Sequence, residues 1–232
     1  MPTRTCIITG ASRGIGLATA LRFAKDGYAV VAAARDPGEL AAASRQIQAA
    51  RAECETVALD MAVPENARRL IDAAVRRFGR VDVLVNNAGC APLGPIDEIS
   101  AAEFEQTYRL NIAAVFHTTQ AVWPVLKRQG GGVIVNISSA ASVDPFPGFA
   151  VYGASKAWVN LFSQAVAAEG QPLGIRVFAV APGAVETKLM RSAFPDFPAD
   201  RTLAPEEVAA VVRGLCDETW TRCSGQTIFV RK

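Results

Sequence analysis

Tyr152 and Lys156 stand four residues apart in the run Tyr152-Gly153-Ala154-Ser155-Lys156, and Ser139 lies 13 residues before the tyrosine. A hydroxyl, a phenol and an ammonium are the parts of a proton-transfer device. On a helix, positions i and i+4 share a face, so phenol and ammonium can enter one cleft. A free tyrosine titrates at about 10 and is a poor acid or base at neutral pH. Moving that value to about 7 requires roughly 3 pH units, or about 4 kcal/mol. One unit charge at ~4 Å in an effective dielectric of ~20 supplies about that much. The pair alone also occurs on ordinary helix surfaces, so its meaning rests on the elements that position it.

Those elements alternate. Short apolar runs predict strands at 5–8, 28–34, 55–59, 81–85, 132–137, 175–180 and 226–230. Longer patterns between them predict helices at 14–26, 38–52, 64–78, 101–129, 152–169 and 205–216, with Pro124 as a kink in the longest. Nearly continuous β-branched runs are strands buried on both faces, which implies a parallel sheet between helices. Strict β-α-β alternation then predicts an α/β, Rossmann-like, doubly wound fold: a seven-stranded parallel sheet flanked by helices on both faces. A chain of 232 residues suits a single domain over 1–232. The irregular stretch 188–203, rich in Phe and Pro, is expected to be a mobile substrate loop over the site.

Composition removes several function classes. A net charge of +2 gives no electrostatic reason to bind nucleic acid or an anionic membrane. No apolar run approaches the ~20 residues of a membrane span, and the strand pattern begins directly after Met1 with no leader expected. Cys6, Cys54, Cys90, Cys216 and Cys223 are odd in number and form no Cys-x-x-Cys pair. They read as reduced thiols of a cytoplasmic protein, with no disulfide framework and no metal site expected. His117 has no partner histidine and reads as structural.

The first strand runs into Thr9-Gly10-Ala11-Ser12-Arg13-Gly14-Ile15-Gly16, a glycine-rich turn that opens the first helix. Gly10, Gly14 and Gly16 permit a tight turn and close approach of a pyrophosphate, which the helix N-terminus attracts. The spacing is a wider variant of G-x-G-x-x-G, and its context predicts dinucleotide binding. The second strand ends Ala33-Ala34-Arg35-Asp36. A bare ribose calls for an acid at the end of this strand, yet Ala34 stands there. Arg13 and Arg35 converging on the ribose would bind a 2′-phosphate bidentately, so NADP(H) is the expected cofactor. Asp36 would reverse the preference if it faced the ribose. Asp60, followed by Met61, is read either as an adenine acceptor or as a helix N-cap. In Asn86-Asn87-Ala88-Gly89, small residues leave room for adenosine, and Asn87 can tie neighbouring strands together.

With the turn 9–16, Asp60, Asn86-Asn87-Ala88-Gly89, Asn111, Ser139, Tyr152, Lys156, Pro182-Gly183 and Thr187 in this order, the chain resembles a single-domain short-chain dehydrogenase/reductase over nearly its whole length. The resemblance implies carbonyl reduction to an alcohol by hydride transfer. Tyr152 would be the proton donor, Ser139 would hold the substrate oxygen, and Ser138 would turn inward. Lys156 would hold the nicotinamide ribose and lower the Tyr152 pKa. Asn111 would hold a water for Lys156 through a break in its helix. Pro182, Gly183, Val185 and Thr187 would shape the nicotinamide site. The partner would be a small-molecule ketone, aldehyde or 3-oxoacyl compound. The expected assembly is a homodimer or homotetramer. An apolar cavity is expected from Ala140, Ala141, Val143, Pro145, Phe146, Phe149, Ala184, Val185 and 194–197, with Asp144 and Cys90 nearby. Phe178 replaces an asparagine common among the family, with an effect expected on packing. An NAD-dependent alcohol dehydrogenase working oxidatively, or a non-catalytic NADP-sensing regulator, are the alternatives.

Overall fold

The apolar runs become seven strands: β1 (Thr5–Thr9), β2 (Ala29–Ala34), β3 (Cys54–Ala58), β4 (Val83–Asn86), β5 (Gly132–Ile137), β6 (Ile175–Pro182) and β7 (Thr227–Val230). All are parallel, in the order β3-β2-β1-β4-β5-β6-β7. These features come from a computed structural model that describes residues 3–232. The winding reverses between β1 and β4, and the crevice beyond their carboxyl ends is where such sheets receive ligands. Every residue of β1, β2 and β4 is buried, as β-branched and alanine runs without alternation require.

On one face, α1 (Gly14–Lys25), α2 (Pro37–Ala49) and α8 (Pro205–Gly214) cover the sheet through Phe23, Leu40, Ile47, Val208 and Val212. Phe178, fully buried in this layer, fills space as the sequence suggested. On the other face, α3 (Glu65–Phe78), α5 (Ala114–Gln129) and α6 (Ala150–Gly170) contribute Leu70, Ile71, Val122, Leu126 and Val166. Among the described residues, no helix is long and apolar enough to cross a membrane.

Two expectations about local structure are corrected. The helix expected over 101–129 is interrupted: α4 (Ala101–Thr107) passes into a π-helical turn (Tyr108–Ala113) before α5. The turn places Asn111 in the interior, where its side chain bonds partners outside its own helix; Pro124 lies within α5 and does not end it. The stretch 188–203 is also more ordered than its composition suggested. It contains α7 (Lys188–Ala193) and a 3₁₀ turn (Ala199–Arg201). Arg191 ties it internally, donating from Nε to Glu186 Oε1 at 2.7 Å and from Nη1 to the Phe197 carbonyl at 2.6 Å. Its ends are joined by a parallel bridge between Val185 and Leu203.

Candidate active site

The turn after β1 is built around close approach. Gly10 has φ +65°, and a Cβ at Gly16 would lie 2.2 Å from the Gly10 carbonyl oxygen. Asn87 Nδ2 donates to the carbonyls of Thr9 at 2.9 Å and Gly10 at 3.1 Å. Thr9 Oγ1 accepts from the backbone N–H groups of Asn87 and Ala88, both at 3.0 Å. The ends of β1 and β4 are thereby clamped together, as Asn87 was expected to do. Helix α1 begins with no side-chain cap and no acidic residue in its first turn. Its N-terminal N–H groups and positive dipole end are available to an anion.

A cavity of about 810 Å³ extends from this turn to Tyr152. Of the residues singled out in the sequence as catalytic or cofactor-binding, all but Gly16 and Asn111 line it. Its size, its glycine turn and the uncapped helix fit a dinucleotide.

The end of the cavity at Arg13 and Arg35 differs from expectation in its charges. Arg35 is exposed at the cavity edge and has no ion-pair partner among the described residues. Arg13 does not stand free beside it: its Nη1 donates to Glu39 Oε1 at 2.7 Å. Ser12 Oγ donates to the other oxygen of the same carboxylate at 2.9 Å. Asp36 caps α2, accepting from the Glu39 N–H at 2.8 Å, so one of its oxygens serves the helix. Asp60 is not a helix N-cap. Its Oδ1 accepts from the Ala62 N–H at 2.9 Å, a local turn, while α3 begins later at Glu65.

At the other end, α6 carries Tyr152 and Lys156 on one face. Lys156 is buried, and its Nζ donates to the Ile137 carbonyl at 2.8 Å, 5.8 Å from the centre of the Tyr152 ring. Ser138 is buried and donates to the Lys156 carbonyl at 3.1 Å, while Ser139 lines the cavity with its Oγ accepting from the Ala141 N–H at 3.2 Å. The two serines therefore divide as expected.

The acid-base balance does not follow the sequence reading. Burial raises the Tyr152 pKa above its ordinary value, and the Ser139 hydroxyl opposes the rise only in part. The Lys156 ammonium, bonded to the Ile137 carbonyl and 5.8 Å from the ring centre, is not among the groups that lower it. Burial lowers Lys156 itself to about 8, with the Cys90 thiol opposing. A lysine depressed in this way is harder to keep charged when folded. Its cost to stability is relieved as pH climbs from about 8 toward the free-lysine value of about 10.4. For catalysis the sign is opposite: the cation is present below that value and lost above it. We therefore expect any kcat/KM that depends on this cation to hold level below, and fall as pH rises through, about 8. A pH-rate profile checks this, and a decline starting only above pH ~10 would refute it.

Asn111 was expected to hold a water for Lys156. Its amide is engaged by protein: Nδ2 donates to the Cys90 carbonyl at 2.9 Å and Ser155 Oγ at 3.0 Å, and Oδ1 accepts from the Cys90 N–H at 2.9 Å. It anchors the segment after β4 to α6. Burial raises the Cys90 thiol, which marks a wall residue, not a thiolate nucleophile.

Above Tyr152 the cavity is aromatic. Phe149 meets Tyr152 edge-on at 5.5 Å and Phe146 at 4.7 Å, and stacks on Phe194 from beyond α7 at 5.8 Å and 9°. Val143 is 59% exposed, and neither it nor Pro145 lines the cavity. Sequence reasoning missed Glu39, Leu93 and Arg231, which do line it, as does Met190 from the expected loop 188–203. A signal for Glu39 existed in Asp36-x-x-Glu39, an acid three residues past a cap. Arg231 arrives because β7 ends beside Gly183, whose N–H donates to the Val230 carbonyl at 2.9 Å.

Comparison with known proteins places this geometry. Residues 4–197 match the family model described as short chain dehydrogenase. The chain is 37% identical to 3beta-hydroxysteroid dehydrogenase 1 of Eggerthella lenta, covering 98% of this chain and 92% of that protein. It is 33% identical to the 3-oxoacyl-[acyl-carrier-protein] reductase of Thermotoga maritima, over 98% and 96% of the two. Among solved structures, 3-ketoacyl-(acyl-carrier-protein) reductase from Brucella melitensis, complexed with NADH, superposes with a TM-score of 0.91 at 33% identity, over 98% and 96% of the two chains.

Proposed function

Because this chain belongs to the short-chain dehydrogenase/reductase family, we propose that it reduces a ketone, aldehyde or 3-oxoacyl carbonyl to an alcohol. NADPH is the proposed hydride source and Tyr152 the proton donor. Its coarser identity is that of an NAD(P)(H)-dependent oxidoreductase of carbonyl and alcohol substrates. The observation that carries the proposal is one cavity joining the glycine turn to Ser139, Tyr152 and Lys156.

When bound, the dinucleotide supplies the hydride. The turn 9–16, Asp60 with Met61, Asn87-Ala88-Gly89, Pro182-Gly183, Val185 and Thr187 would hold it, with Arg35 at the 2′-phosphate. Ser139 places its hydroxyl where the carbonyl oxygen develops negative charge. Tyr152 delivers a proton to that oxygen. Its raised pKa keeps the phenol protonated at neutral pH, so the donor carries its proton, while burial opposes the proton's release. Lys156 holds positive charge 5.8 Å from the ring centre and would hold the nicotinamide ribose of a bound dinucleotide. Leu93, Phe149, Met190 and Phe194 offer an apolar wall to the rest of the substrate.

Work with a panel of ketones and both reduced nucleotides tests the reading. NADPH-dependent turnover is the expected result, and tight binding without turnover would favour the regulator. Arg35→Ala should raise KM for NADPH about tenfold and leave KM for NADH nearly unchanged, since a charge-assisted bond is worth roughly 1.5–3 kcal/mol. An equal effect on both nucleotides would remove the phosphate contact. NADH use is a second reading, favoured by the Glu39 carboxylate beside Arg13. A cytoplasmic homodimer or homotetramer completes the proposal. It is supported by five free cysteines and by exposed Phe104, Tyr108, Phe116 and Leu161 on helical surfaces. Sedimentation velocity reads the assembly directly.

A further inference from the structure

Glu39 has no role in the chemistry above, yet its carboxylate engages both polar side chains of the glycine turn. One oxygen accepts from Ser12 Oγ at 2.9 Å, the other from Arg13 Nη1 at 2.7 Å. These bonds join the β1–α1 turn to the first turn of α2, across 27 and 26 residues of sequence. The Glu39 backbone is fixed by the Asp36 cap at 2.8 Å. All four residues, Ser12, Arg13, Asp36 and Glu39, line the cavity beside Arg35.

We infer that Glu39 is a specificity-determining residue for the cofactor. Its carboxylate acts as an internal anion on the donors that a 2′-phosphate would use. A 2′-phosphate must displace it from Ser12 and Arg13 and then remain near its negative charge. A bare ribose needs neither step, and its hydroxyl finds an acceptor in the same carboxylate. The Arg13–Glu39 pair is open to exchange, with side chains 54% and 39% exposed. Exposed pairs of this kind are worth only about 0–1 kcal/mol. The latch therefore tempers the preference of Arg35 for phosphate without abolishing it. This inference rests on the reading that the adenosine ribose lies at Arg13 and Arg35.

A purely structural role must be separated from this one. Glu39 sits in the first turn of α2, where an acid favours the helix dipole. Losing that effect would lower thermal stability without changing which nucleotide binds.

The test is calorimetric titration of the wild type, Glu39→Gln and Glu39→Ala with 2′,5′-ADP and with 5′-AMP, at low and high salt. Both variants are expected to bind 2′,5′-ADP about tenfold more tightly than wild type, with 5′-AMP within about twofold and the gain shrinking in high salt. The NADPH-to-NADH ratio of kcat/KM should rise in parallel. No change, a loss of 2′,5′-ADP affinity, or an equal gain for both nucleotides would overturn the inference. If wild type binds the two nucleotides equally while Glu39→Gln prefers 2′,5′-ADP, the NADPH reading falls and the role of Glu39 stands. If neither protein discriminates, both fall.

Discussion

Tyr152→Phe is expected to lower kcat for carbonyl reduction by about 10³-fold, while the dissociation constant for the dinucleotide changes by less than about twofold. The substitution removes one oxygen. The ring keeps its edge contact with Phe149, and the Lys156 bond to the Ile137 carbonyl does not involve the phenol. Fold and cofactor cradle are therefore retained, and the loss is confined to proton delivery. General acid catalysis typically contributes about 10²–10⁴-fold, which sets the size of the effect. Single-turnover reduction measures the rate, and quenching of protein fluorescence by bound nucleotide measures the affinity. A variant retaining more than roughly a tenth of the rate would show that the phenol is not the donor. One with weakened nucleotide binding would show that the tyrosine positions the cofactor.

The second large effect concerns the cradle itself. In Gly16→Ala the new methyl would lie 2.2 Å from the Gly10 carbonyl oxygen and 2.6 Å from Asn87 Nδ2. Neither neighbour is a flexible chain end. One is backbone, and the other holds β1 to β4 through two hydrogen bonds. Overpacking of this kind costs about 1–3 kcal/mol, which for a domain of this length lowers Tm by roughly 2–12 °C. The displaced turn should also lose most of its dinucleotide affinity. Gly214→Ala is the matched control, since nothing stands within 4 Å of a Cβ there; it should leave both readings nearly unchanged. Thermal denaturation with nucleotide titration on the two variants decides the matter. A Gly16→Ala protein with wild-type Tm and affinity would contradict the close approach described here.

The layout of the sheet was legible because its information is local. Strands such as Ala29–Ala34 are apolar throughout, and only burial on both faces accommodates that pattern. The role of Asn87 was legible for a similar reason, since a short amide at a strand end has few partners other than adjacent backbone. What escaped depended on contacts between distant segments. Helical spacing places Tyr152 and Lys156 on one face, but the direction of the ammonium is set by the Ile137 carbonyl on β5, 19 residues away. Burial then acts on both groups against proton release by the phenol. The π-helical turn likewise answers to the bonds Asn111 makes with Cys90 and Ser155. The apolar periodicity of residues 101–129 does not mark it, and only the family resemblance implied a break at Asn111. No motif in the sequence pairs Glu39 with Ser12 and Arg13; those contacts arise only when the fold brings α2 against the glycine turn.

The parallel bridge between Val185 and Leu203 is reinforced by the Glu186 N–H to the Leu203 carbonyl at 2.9 Å and the Leu203 N–H to the Ala184 carbonyl at 2.8 Å. Segment 186–202 thus hangs from a closed base, and its own length and composition do not enter the register of the sheet. Selection can rewrite such a cassette, lengthening it or exchanging its aromatic residues, without disturbing the strands on either side of it.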